Sequence, residues 1–82
     1  MYKFENFRHW IACGREIEFE YSGKRYSVTY GVNDKDENRI YFCEFYQPDT
    51  EFIDANDFMK NSKIGEHFLS DIWEDVTEVD IF

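Results

Sequence analysis

Asp34, Asp36 and Asn38 have the spacing with which a calcium-binding loop opens. Such a loop then needs glycine at its sixth position, for a sharp turn, and a bidentate glutamate at its twelfth. Arg39 and Phe45 stand there instead, so the stretch reads as a charged turn. His9 and Cys13 are one helical turn apart, as are His67 and Asp71. Either pair offers two metal ligands, whereas a structural zinc site takes four at recognisable local spacing, and no metal site is assigned. A cysteine nucleophile needs a base beside it in a cleft, and no such signature surrounds Cys13 or Cys43. With 18 carboxylates in 82 residues, some acids must lie close together, so paired acids say nothing about acid–base catalysis. The sequence predicts no enzyme and calls for no cofactor. Two thiols thirty residues apart, with no Cys-x-x-Cys, read as the reduced thiols of a cytoplasmic protein.

Charge is the stronger signal. Acidic residues outnumber basic ones 18 to 9, for a net charge of −9 and a pI near 4.5. Phosphate binding draws its affinity from Lys and Arg, so this balance opposes direct nucleic-acid or anionic-membrane binding. No run approaches the ~18 apolar residues of a membrane span, and Met1 to Trp10 is too charged for a signal peptide. Residues 1–43 carry 7 basic and 7 acidic side chains, while residues 44–82 carry 2 against 11 and hold the whole excess. Glu66, at the start of an expected last helix, suits the helix dipole. Asp71, Glu74 and Asp75 fall nearer that helix's C-terminus, where each anion costs a few tenths to about 1 kcal/mol. Glu78 and Asp80 add like-charge repulsion. Folding alone does not explain that choice. The functional reading is a partner-binding surface of Glu66, Asp71, Glu74, Asp75, Glu78 and Asp80 that engages a basic protein by steering and complementarity. The plainer alternative is a solvated face that keeps the protein soluble.

These residues need a scaffold, and 82 residues make a single domain at most. Residues 3–13 predict a helix, with Phe4, Phe7, Trp10 and Ile11 on one stripe, His9 and Cys13 off it, and Gly14 as its stop. From Arg15 to Tyr21, Ile17, Phe19 and Tyr21 alternate with glutamates. After Ser22-Gly23, Tyr26, Val28 and Tyr30 alternate with Arg25, Ser27 and Thr29. A two-residue Ser-Gly turn predicts a hairpin in which Phe19 faces Tyr26, Ile17 faces Val28 and Glu20 faces Arg25. A slip by one residue would destroy these matches. A third strand, Arg39 to Tyr46, places Ile40, Phe42 and Tyr46 on one face and Tyr41, Cys43 and Phe45 on the other; Gln47-Pro48-Asp49 ends it. Asp54 and Asp57 cap a short helix carrying Ala55, Phe58 and Met59. A second helix is expected over about 66–76, with Leu69, Ile72, Trp73 and Val76 on its stripe, and a short terminal strand over Thr77 to Phe82. The expected fold is therefore α+β: an N-terminal helix, a three-stranded antiparallel meander, two C-terminal helices and a short last strand, all in one domain over 1–82.

The third strand is apolar on both faces, so Tyr41 and Phe45 form a possible aromatic interface through which a small homodimer assembles. A weaker alternative places single-stranded nucleic acid on the sheet, with Arg15, Lys24, Arg25 and Arg39 near Tyr26, Tyr30 and Tyr41. The helix and strand order does not match the common RNA-recognition sheet.

The string Glu16-Ile-Glu-Phe-Glu-Tyr-Ser-Gly-Lys-Arg-Tyr-Ser-Val-Thr, with Phe42-Cys-Glu-Phe-Tyr and Ile72-Trp-Glu-Asp-Val, resembles a group of small acidic proteins of unassigned function from Gram-positive bacteria and their phages. The likeness runs through much of the chain from residue 16. Its motifs are mainly strand and core residues, so it implies a shared fold and carries over no catalytic residues. A phage or mobile-element setting would suggest an inhibitor of a host defence or nucleic-acid-binding protein, acting as a DNA mimic. That step is an analogy.

Overall fold

The computed structural model describes residues 3–82. In chain order it has α1 (Phe4–Ala12), β1 (Ile17–Tyr21), β2 (Lys24–Val32), β3 (Asn38–Glu44), β4 (Thr50–Phe52), α2 (Ala55–Asn61), β5 (Lys63–Ile64), β6 (His67–Phe68), α3 (Leu69–Ile72), a 3-10 turn (Trp73–Asp75) and β7 (Thr77–Ile81). The architecture is α+β. Its main sheet is antiparallel, with the order β4-β3-β2-β1-β7, and β5 and β6 form a separate two-stranded ribbon.

The β1–β2 hairpin has the register expected from its alternation: Phe19 faces Tyr26, Ile17 faces Val28 and Glu20 faces Arg25. Ser22 and Gly23 both have positive φ, at 54° and 79°, the backbone of a tight turn whose twist matches the strands. The alternation separates two faces. Ile17, Phe19, Tyr26, Val28, Ile40, Phe42 and Phe52 are buried and join residues of α1, α2, α3 and the 3-10 turn in one core. On the other face, Glu18, Glu20, Arg25, Ser27, Thr29, Arg39, Tyr41 and Cys43 are half-buried.

Phe58 anchors the core. Its ring lies 5.2 Å from Phe52, 5.6 Å from Phe42 and 5.7 Å from Phe7. Aromatic pairs at such distances add ~0.5–1.5 kcal/mol beyond the area they bury. In α1, Phe7 and Ile11 are buried while Phe4 and Trp10 pack at the margin, and Gly14 follows with φ +74°. Asp54 caps α2 by accepting a hydrogen bond from the Asp57 amide at 2.8 Å.

Three expectations change. The third strand ends at Glu44, not Tyr46: Phe45 and Tyr46 form a turn, Tyr46 has φ 69°, and its side chain is 99% exposed rather than on the core face. The meander gains strands at both sides. Thr50–Phe52 pairs with β3 and Thr77–Ile81 pairs with β1, giving five strands in place of three and a lone terminal one. The helix expected over 66–76 is only Leu69–Ile72 plus a 3-10 turn. Its first residues are used elsewhere: Gly65, at φ 62°, and Glu66 form a two-residue turn that pairs Lys63 with Phe68 and Ile64 with His67. Leu69, Ile72, Trp73 and Val76 are nevertheless all buried, because they lie on one side of the shortened segment as they would on a longer helix.

Candidate acidic interaction surface

The six acids read as one helical face lie on four different elements. Glu66 is in the β5–β6 turn, Asp71 in α3, Glu74 and Asp75 in the 3-10 turn, and Glu78 and Asp80 in β7. This removes the dipole argument. Glu66 starts no helix, and Asp71 lies in the first turn of a four-residue one rather than near the end of a long one. The topology still brings several of them to one region. Thr77 pairs with Glu20, at the Ser22–Gly23 end of β1, so the 3-10 turn enters β7 at that end with Glu74, Asp75 and Glu78. The β5–β6 turn is at the same end: Gly65 and His67 share a cleft with Tyr21, Ser22 and Lys24.

Cations offset five of the eighteen acids. Arg25, on the half-buried face of β2, lies 3.2 Å from Asp80 and 3.6 Å from Glu18, donates to the Glu78 carbonyl at 3.0 Å, and sits 5.9 Å from the centre of the Phe45 ring. Arg39 holds Glu37 and Glu51, each at 3.2 Å. Lys24 is 3.9 Å from Glu44. Lys63, one of the two cations of the acidic half, lies over the Phe68 ring at 4.6 Å. Among the described residues, Glu66, Asp71, Glu74, Asp75 and Glu78 enter none of these ion pairs, and all five are exposed. Glu78 has φ 52° at a bulge in the β1–β7 pairing, a conformation few non-glycine residues adopt, so the backbone departs from regular pairing where that carboxylate is presented.

The aromatic pair also takes a different form. Tyr41 is on the half-buried face opposite Thr29 and Glu51, and its ring lies over Gly31, where an added Cβ would meet Cε2 at 3.3 Å. Phe45 is in the following turn, edge-on to Tyr46 with ring centres 6.1 Å apart. The basic, Tyr-rich patch is dispersed. Tyr26 faces the core, the Tyr30 hydroxyl donates to the Arg15 carbonyl at 2.7 Å, and Arg25 and Arg39 are already paired with acids. Burial, followed by the Glu16 carboxylate, pushes the Tyr30 phenol up to about 12.

The other chemical groups remain separate. His9 Nε2 lies 3.8 Å from Cys13 Sγ on the exposed side of α1. Burial pushes the Cys43 thiol up, with Asp49 adding to the rise and the Ser27 hydroxyl, 3.6 Å away, opposing it, which disfavours the nucleophilic thiolate. Among the described residues no three His, Cys, Asp or Glu side chains form a metal-holding group. Asn33, whose side-chain oxygen accepts from the Lys35 and Glu37 amides at 2.9 and 3.0 Å, organises the Asp34–Glu37 stretch as a turn. An open groove of about 540 Å³ lies beyond the C-terminal end of α1, between Ile11, Tyr30, Val32, Ile40 and Ile53. No helix among the described residues is long and apolar enough to cross a membrane.

Sequence reasoning missed both Arg25 as an organiser and the β5–β6 ribbon. The ribbon had a signal, since a two-residue loop opening on glycine between Lys63-Ile64 and His67-Phe68 is a hairpin pattern. Arg25 had none, because its partners in β7 are more than fifty residues away. No known protein family, curated protein or solved structure matches the chain.

Proposed function

We propose that this chain is a non-enzymatic interaction protein that binds a basic protein partner through Glu66, Asp71, Glu74, Asp75 and Glu78, with Asp80 at the margin. The gathering of unpaired acids at one end of the sheet carries the reading. Among the described residues, Glu18, Glu37, Glu44, Glu51 and Asp80 are offset by Lys24, Arg25 and Arg39; the other acids enter none of these ion pairs, and of them Glu66, Glu74, Asp75 and Glu78 come together at the Ser22–Gly23 end of β1. Uncompensated like charge at one end of a small domain raises repulsion on folding and gives a field that steers a cationic surface. The partner class follows from that chemistry. A nucleic-acid-binding protein presents such a cationic surface, and by analogy with inhibitors in a phage or mobile-element setting the target class is a host defence or nucleic-acid-binding protein.

The test is a pull-down from host-cell extract at low and high salt, with Glu74→Lys, Asp75→Lys beside the wild type. A specific protein held by the wild type at low salt, and released both by salt and by the substitutions, supports the reading. Equal retention by both chains sinks it.

A second reading, a homodimer assembled through Tyr41 and Phe45, is favoured by the full exposure of Tyr46 beside Phe45. Light scattering that finds only monomer at high concentration removes it.

A further inference from the structure

The structure leaves one edge of the main sheet unpaired beside the acids. β7 is the terminal strand, with β1 on one side and no strand on the other among the described residues. The ladder shows which groups face outward. The Phe82 amide donates to the Glu16 carbonyl at 2.8 Å, so Glu16 and Phe82 form a hydrogen-bonded pair. In an antiparallel ladder such pairs recur every second residue, which makes Glu18–Asp80 the next. Ile81 lies between them opposite Ile17, so its N–H and C=O point away from β1. Val79, on the other side of Asp80, belongs to the same outward set. Ile81 and Val79 keep part of their side chains exposed, and Phe82 is 60% exposed, so apolar surface accompanies the open backbone.

The charges select the occupant. Two β7 edges brought together would place Glu78 and Asp80 of one copy against those of the other, and like charges opposite each other are destabilising. A cationic strand meets no such penalty. We infer that the outer edge of β7 takes an extended basic segment of the partner protein as an added strand, the Val79 and Ile81 backbone groups supplying the hydrogen bonds and Glu78, with the nearby Glu74 and Asp75, the charge complement. This inference rests on the acidic-surface reading and adds the mode of docking.

The probe is a fluorescein-labelled seven-residue peptide of alternating lysine and valine. Beside it run a version N-methylated at alternate residues, which keeps the charge but loses the amides of one edge, and a glutamate–valine version. Fluorescence anisotropy should show the unmethylated lysine peptide binding at least tenfold more tightly than the methylated one, and no binding of the glutamate peptide. Hydrogen exchange should then slow at the Val79 and Ile81 amides. Equal binding of both lysine peptides, or unchanged exchange at Val79 and Ile81, overturns the added strand while leaving the acidic surface standing. Absence of binding by either lysine peptide also overturns it, and the pull-down with Glu74→Lys, Asp75→Lys then decides the acidic surface separately.

Discussion

Arg25 reaches from β2 across β1 to hold Asp80 of β7 at 3.2 Å, and in the same pose it donates to the Glu78 carbonyl at 3.0 Å. Its side chain is 27% exposed, so water screens the contact only in part, and a charge-assisted bond to a backbone carbonyl is worth more than a surface ion pair. Arg25→Ala should cost about 1–2 kcal/mol in urea unfolding, with early loss of amide protection in β7. Asp80→Asn, which spares the carbonyl bond, should cost less than about 1 kcal/mol. Equal losses would place the effect in the ion pair alone.

Ser62 should be better replaced by alanine. It is 1% exposed, and its hydroxyl has no hydrogen-bond partner among the described residues. Its backbone remains fully used, donating to Phe58 and accepting from Leu69. Removing an unsatisfied buried hydroxyl recovers part of its desolvation penalty, so Ser62→Ala should raise stability by up to about 1 kcal/mol. A loss on thermal or urea unfolding would show that the hydroxyl is satisfied in solution.

Tyr30 carries an alkaline signature. Its phenol is pushed up to about 12, chiefly by burial, against about 10 for an unfolded tyrosine. The folded state therefore favours the neutral ring. The stabilisation is complete below the unfolded value and is lost as pH rises through the folded one. Ultraviolet titration should show a tyrosine ionising well above the ordinary range, and that component should be missing in Tyr30→Phe. The same variant loses the bond to the Arg15 carbonyl, at about 1 kcal/mol near neutrality.

Asp57 works in the opposite direction. Hydrogen bonds from the Ile53 amide, the larger cause, and from Asn61 hold its carboxyl below the usual aspartate range. Its stabilising effect is thus present above the ordinary carboxylate value and disappears as acid protonates the folded form at lower pH. An NMR titration of Asn61→Ala should move the Asp57 midpoint only part of the way back, because the Ile53 amide remains. A full return would reverse the ranking of the two bonds.

How much of this could be read from the sequence follows the range of each signal. The β1–β2 register was legible because Phe19/Tyr26, Ile17/Val28 and Glu20/Arg25 all require the same alignment around one turn. Thr50–Phe52 is too short for alternation to show, and its pairing depends on β3 being present. The spacing of Leu69, Ile72, Trp73 and Val76 identified buried residues correctly but not the helix length, since Gly65 and Glu66 are used in a ribbon turn. The acids were visible as a count, and their division was not. Asp80 is offset, as Asp75 is not, because Arg25, fifty-five residues away, reaches it.

In the proposed function, the location of the acids, and not the net charge alone, captures a basic partner. Glu74→Lys, Asp75→Lys tests it most directly beside Asp34→Lys, Asp36→Lys, which makes the same change in net charge at the turn before β3. Both are run against the wild type in the low-salt pull-down. The turn variant should retain the wild-type partner and the 74/75 variant should lose it. Equal loss in both, or loss in neither, would contradict it.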